Sequence, residues 1–110
     1  MSIKKVRGYT MILRETKKLY KAAVKKWGLP LQMGMLMEEC AELIQATSKV
    51  IRKGDREMNT WRNLAEEMAD VEIMIEQLKQ QITWADMKTM TATYKHDKLL
   101  RLKTMLEAKE

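Results

Sequence analysis

Three observations in the sequence predict an all-α fold, a four-helix bundle of antiparallel helices. Apolar residues recur at helical spacing along most of the 110 residues, and no strand-like alternation competes with them. One Pro and four Gly are fewer turn formers than a sheet protein with tight turns would use. Eleven Met and no Phe mean that flexible thioethers fill gaps beside Leu, Ile and Val, a helix-friendly palette. The length suits one domain, and a composition 45% hydrophobic and 33% charged is too apolar for a disordered chain.

Residues 1–9, with Lys4, Lys5 and Arg7, read as a basic, flexible tail, and residues 10–110 as the single domain. A first helix is predicted from about Thr10 to Trp27, its apolar face carrying Ile12, Leu13, Leu19, Tyr20, Ala23, Val24 and Trp27, with Gly28-Leu29-Pro30 ending it. A second runs from about Pro30, suited to a first turn, to Lys53, where Gly54 can form a left-handed cap. After a polar loop through Glu57, a third begins at Asn59 or Thr60, both good N-caps, and continues to about Gln81. The fourth starts at Thr83-Trp84-Ala85-Asp86, a variant of the capping box, and carries Leu99, Leu102 and Leu106. Short connections between long helices favour antiparallel neighbours.

Charge is unevenly spread. Residues 1–26 hold nine Lys/Arg against the lone Glu15, whereas residues 38–76 hold ten Asp/Glu against five Lys/Arg. A net charge of +6 would suit a polyanionic partner, yet an acidic middle is not a phosphate-backbone track. The acid sits in two related octets, "LMEECAEL" (residues 36–43) and "LAEEMADV" (residues 64–71), 28 residues or four heptads apart.

At about 100° per residue with Leu36 as zero, Cys40, Leu43, Thr47, Val50 and Ile51 form the predicted core stripe of the second helix. Glu39 lies at its edge, Glu42 further round, and Glu38 almost opposite. With Leu64 as zero, the third helix repeats the pattern: Trp61, Met68, Val71, Ile75 and Leu78 form the stripe, and Glu67, Asp70 and Glu66 take the places of Glu39, Glu42 and Glu38. Antiparallel packing through these stripes would converge Glu39 and Glu42 with Glu67 and Asp70. Like charges at about 4 Å repel by about 1 kcal/mol in water and about 4 kcal/mol at an effective dielectric near 20, so the cluster needs protons or a cation. Oxygen ligands without a nearby His favour Mg²⁺, with Mn²⁺ as the alternative, over Zn²⁺.

Solvated surface glutamates would explain a single EExxE, but explain its recurrence in matching phase less readily. A di-iron carboxylate bundle needs Glu-x-x-His pairs, and His96, the sole histidine, lies in neither octet. Cys40 stands among carboxylates that would raise a thiol's pKa, so it reads as a small core hydrophobe, and it has no partner for an internal disulfide.

Glu38-Glu39-x-x-Glu42, followed by Glu67-x-x-Asp70, resembles the EExxE…ExxD signature of the MazG-like all-α nucleoside triphosphate pyrophosphohydrolases, the superfamily that includes dimeric dUTPases. "KWGLPLQ" (26–32), "ECAELIQATSK", "EEMADVEIMIEQLK" and "KLLRLKTML" (98–106) extend the resemblance over about residues 20–106. It implies hydrolysis of a nucleoside triphosphate between the α and β phosphates, with Glu39, Glu42, Glu67 and Asp70 binding Mg²⁺. Glu39 would serve catalysis, and Glu38, which the phase turns away, would at most orient water. Lys98 and Arg101 match the family's late K-x-x-R-L pattern and are candidate phosphate ligands, with Lys53 and Arg56 as alternatives. Trp27 and Gln32 fall in the W-G…Q segment, where a ring and an amide could stack on and hydrogen-bond a base. Trp27 as a helix-end core residue is an equal reading, and Trp61 and Trp84 read as core. Related proteins form dimers or tetramers with shared pockets, which predicts a homo-oligomer here, a tetramer first and a dimer next.

The rival class is a basic helical nucleic-acid-binding or regulatory module without catalytic activity, using Arg14, Lys17, Lys18, Lys21 and Lys25 on one face. No apolar run reaches the length of a membrane span, and no signal-type apolar region follows the basic N-terminus, so the expected location is cytoplasmic.

Overall fold

The computed structural model describes residues 13–54 and 56–108, with Leu13 described as backbone only. Four helices and no strand are present among them: α1 (Leu13–Trp27), α2 (Leu29–Lys53), α3 (Met58–Gln81) and α4 (Met87–Glu107). The expected basic tail and the first turn from Thr10 lie outside the described residues.

Glycine ends the first two helices as anticipated. Gly28 and Gly54 adopt φ of +84° and +82°, a region in which a Cβ is disfavoured, and their N–H groups donate to Val24 O at 2.8 Å and Val50 O at 2.9 Å. Pro30 occupies the first turn of α2, where it forfeits no intrahelical bond. The next two starts differ from expectation. Glu57, not Asn59 or Thr60, precedes α3, and the Thr60 hydroxyl donates to Glu57 O at 2.7 Å from inside the first turn, where the residue is buried. Thr83–Asp86 forms a tight turn instead of a helix start: Asp86 N–H donates to Thr83 O at 3.1 Å, and Asp86 takes a left-handed conformation (φ 50°) before α4 begins at Met87. A left-handed residue cannot continue a helix, so the capping-box pattern is spent in the turn.

α2 and α3 form the main packing pair, α1 lies against both, and α4 packs against α3 alone. The core is small: Tyr20, Ala46, Val50, Val71, Met74 and Leu78, with buried Gln32, Thr60 and Gln77. Gln77 Nε2 donates to Gln32 Oε1 at 2.7 Å across the α2–α3 seam, and the Tyr20 hydroxyl donates to Glu76 Oε1 at 3.2 Å, tying α1 to α3. Burial, followed by the Glu76 charge and this hydrogen bond, raises the Tyr20 pKa.

The buried face is rotated from the predicted one. With Leu36 as zero, Gln32, Ala46 and Val50 fall at about −40°, −80° and −40°; with Leu64 as zero, Thr60, Val71, Met74 and Leu78 fall at about −40°, −20°, −80° and −40°. The shift runs the same way in both helices, toward Glu39 and Glu67. On the other side, Thr47 and Ile51 of α2 and Trp61, Met68 and Ile75 of α3 are exposed, Ile51 to 77%. Each helix carries an apolar arc broader than one partner can cover, and periodicity alone reports the centre of the arc. The three tryptophans are not core: Trp27 is 51% exposed, Trp61 39%, and Trp84, in the α3–α4 turn, 75%. Cys40 is half-buried, and α4 buries no residue, so Leu99, Leu102 and Leu106 face outward.

Candidate metal centre

The two octets land on one seam. Gln32 and Thr60, Ala46 and Met74, and Val50 and Leu78 are each 28 residues apart and buried in pairs, so α2 and α3 use one template for their shared face. On that template Glu39 and Glu67 occupy equivalent places within the rotated arc and are half-buried, as is Asp70. One carboxylate oxygen from each of Glu39, Glu67 and Asp70 can be chosen so that all three lie within 4.8 Å of one another. Glu42 is exposed at the rim, in hydrogen-bonding reach of Glu67.

The electrostatics follow from this geometry. Burial, then the charges of Glu42, Asp70 and Glu67, then a carboxyl–carboxyl hydrogen bond to Asp70 hold the Glu39 pKa above its ordinary 4.5. Glu67 is raised by burial, by its hydrogen bond and charge interaction with Glu42, and by the charges of Asp70 and Glu66. Every charge in these two sets is negative. Moreover, Oε2 of Glu39 and Oε2 of Glu67 are closed off from solvent without a hydrogen-bond partner. Buried oxygens left unmatched beside like charges are costly unless protons or a cation join them.

A hard divalent cation fits this donor set. Three carboxylate oxygens from separate residues within 4.8 Å of one another are close enough to share one such ion. All the donors are carboxylates, which suits Mg²⁺ or Mn²⁺ and not a thiolate- or imidazole-loving ion. Glu39, Glu67 and Asp70 would hold it, with Glu42 at the rim. Glu38 is exposed and lies outside the cluster, as its phase requires.

The remaining candidates divide. Trp27 and Gln32 line one recess of about 440 Å³, together with Ala23, Leu31, Met35, Met74 and Gln77. Met35 and Met74 lie one helical turn from Glu39 and Asp70, so recess and carboxylates are successive layers of the seam. Lys26 Nζ stands 5.2 Å from the Trp27 ring centroid, a cation–π distance. Lys98 and Arg101, by contrast, are exposed on α4 and are not among the groups that shift Glu39 or Glu67. Lys53 pairs locally with Glu57 at 3.5 Å, and Arg56 is exposed in the loop. Gln77 is a site-lining residue that periodicity did not flag: it sits about 140° from Leu64, outside any apolar stripe, and only its contact with Gln32 reveals it.

No family model, curated protein or solved structure matches this chain.

Proposed function

We propose that this protein is a Mg²⁺-dependent nucleoside triphosphate pyrophosphohydrolase, cleaving a ribo- or deoxyribonucleoside triphosphate between its α and β phosphates to a monophosphate and pyrophosphate. The observation that carries this reading is the convergence of Glu39, Glu67 and Asp70 from two octets of one template, with an enclosed oxygen on Glu39 and on Glu67 that has no hydrogen-bond partner. The resemblance of the octets to the MazG-like signature supports the same chemistry. A bound Mg²⁺ supplies neutralisation of phosphate oxygens and acidification of a water. The chain's own residues supply the rest. Glu39, beside the cation and half-buried at the seam, would position the attacking water and take its proton through the carboxylate oxygen not engaged by the metal as the α–β bridging bond breaks. The recess beside it receives the base, with Trp27 at its edge and the Gln32–Gln77 amide pair at its floor.

Two further features belong to the proposal. α2 and α3 run antiparallel, supported by Gln32 meeting Gln77 while Glu39 meets Asp70, one number rising as the other falls. The protein is a homo-oligomer, a tetramer first and a dimer next. Its support is the uncovered apolar arc: Met37, Ile44 and Ile51 on α2, and Trp61, Met68 and Ile75 on α3, are exposed at heptad spacing beside the buried face. Lys98 and Arg101 would then approach the phosphates from α4 of a second copy. A cytoplasmic nucleotide pool is the setting that suits such an enzyme.

The test is a panel of ribo- and deoxyribonucleoside triphosphates with Mg²⁺, products being separated by mass. Monophosphate with equimolar pyrophosphate is expected for at least one of them. Release of orthophosphate instead, or no turnover of any, contradicts the assignment.

A further inference from the structure

A second recess, of about 350 Å³, opens where α1, the end of α3 and the start of α4 meet. Its charge is the reverse of the carboxylate cluster's. Lys17 and Lys21 enter from α1, Lys79 from α3 and Lys88 from α4, with Asp86 the sole acid on its lining. A contiguous groove on α1 adds Arg14 and Lys18 to Lys17 and Lys21. None of these cations forms an ion pair among the described residues; the ion pairs present are Lys53–Glu57, His96–Asp97 and Lys103–Glu107. Lys79 is half-buried and forms no ion pair among the described residues.

We infer that this recess is a binding site for a compact polyphosphate anion, separate from the carboxylate cluster. Four ammonium groups drawn from three helices can surround such an anion on several sides, whereas one helix face of lysines could only touch it. Thr83, in the turn that caps the recess, offers a hydroxyl donor, and the first turn of α4 presents the positive end of its dipole. A recess of this volume, with its cations drawn from three helices and not strung along one, suits two or three linked phosphates better than the continuous track of a nucleic-acid backbone. Lys79 lies nine residues beyond Asp70 on α3, about 13 Å along the axis, so an anion here does not touch the carboxylates. The chemistry is shared by free pyrophosphate or tripolyphosphate and by the phosphate tail of a nucleotide.

The experiment titrates pyrophosphate, tripolyphosphate, ATP and a single-stranded oligonucleotide, without divalent metal, into the full ¹⁵N-labelled chain. Expected are saturable amide shifts in 17–21 and 79–89, with Lys79→Gln and Lys88→Gln each weakening tripolyphosphate binding roughly fivefold to tenfold. Asp86→Asn removes the opposing charge, and Asn tolerates a left-handed backbone, so this variant strengthens binding, a gain that misfolding cannot mimic. Lys103→Gln, which makes the same change in net charge elsewhere, leaves binding unaltered. If free tripolyphosphate and ATP bind alike, the phosphates alone are read; if ATP binds much more tightly, the nucleotide tail is the natural source. Three outcomes overturn the inference: no shifts in these segments at millimolar anion, equal weakening by Lys103→Gln and Lys79→Gln, or an oligonucleotide that displaces tripolyphosphate and binds more tightly per phosphate.

Discussion

Glu38 and Glu39 are neighbours of one residue type, and helical phase separates them: the first is exposed, the second half-buried among carboxyls. That difference was legible in the sequence, because about 100° of rotation per residue is independent of what the helix packs against. How deeply Glu39 sits was not, since it depends on the rotated contact face. Its titration leads to a signed prediction. Glu39 and Glu67 titrate above the ordinary 4.5, so across the window upward from that value the folded chain holds protons that the unfolded chain has released. The stability they contribute is complete below the unfolded value and is lost as pH rises through the raised folded values. Metal-free Glu39→Gln should therefore gain in melting temperature relative to the parent as pH is taken from about 5 to about 8, as read by calorimetry; a constant difference would mean that the cluster is not strained by charge. Mg²⁺ at neutral pH should raise the parent's melting temperature by preferential binding to the folded state and raise that of Glu39→Gln far less.

At the scale of elements, α2 and α3 are a repeated template whose 28-residue offset can be read directly, and their buried pairs follow it. Periodicity misplaced the contact face because it averages two apolar sides, the one covered by the neighbouring helix and the one carrying Ile44, Ile51, Met68 and Ile75. The cross-seam pairing of Gln32 with Gln77, 45 residues apart, has no local signature at all. Gln77→Leu should strip Gln32 Oε1 of its donor and cost about 1 to 3 kcal/mol in denaturant unfolding, while the double replacement of both glutamines by leucine should recover part of that loss. Equal loss in the single and double variants would deny the amide pair a structural role. The turn before α4 was missed for a related reason: Thr83 and Asp86 have the chemistry of a helix start, but the chain closes a turn there and leaves Asp86 left-handed.

For the whole molecule, the radius of gyration is 17.3 Å, against about 13 Å for a compact chain of this length. α4 buries none of its residues, and of the core side chains only the small Ala46 is almost fully enclosed, so the described chain has an unusually thin core. The open shape and the heptad-spaced exposed apolar residues on two helices support the proposed homo-oligomer. Light scattering should give the mass of a dimer or tetramer, and Ile44→Glu with Ile51→Glu should shift it toward the monomer with a marked loss of thermal stability. A monomeric parent would contradict the oligomer and with it the role given to a second copy's Lys98 and Arg101. The all-α class was visible in the sequence, whereas the uncovered faces required the structure, since burial is a property of packing. The proposed enzyme depends on the carboxylates of the two octets making one Mg²⁺ site for phosphoanhydride hydrolysis. The deciding measurement is monophosphate and pyrophosphate release with Mg²⁺ by the parent, Glu39→Gln and Glu67→Gln under identical conditions. The parent should turn over, and each variant should fall by about 100-fold or more while remaining folded; unchanged turnover in both variants would contradict the claim.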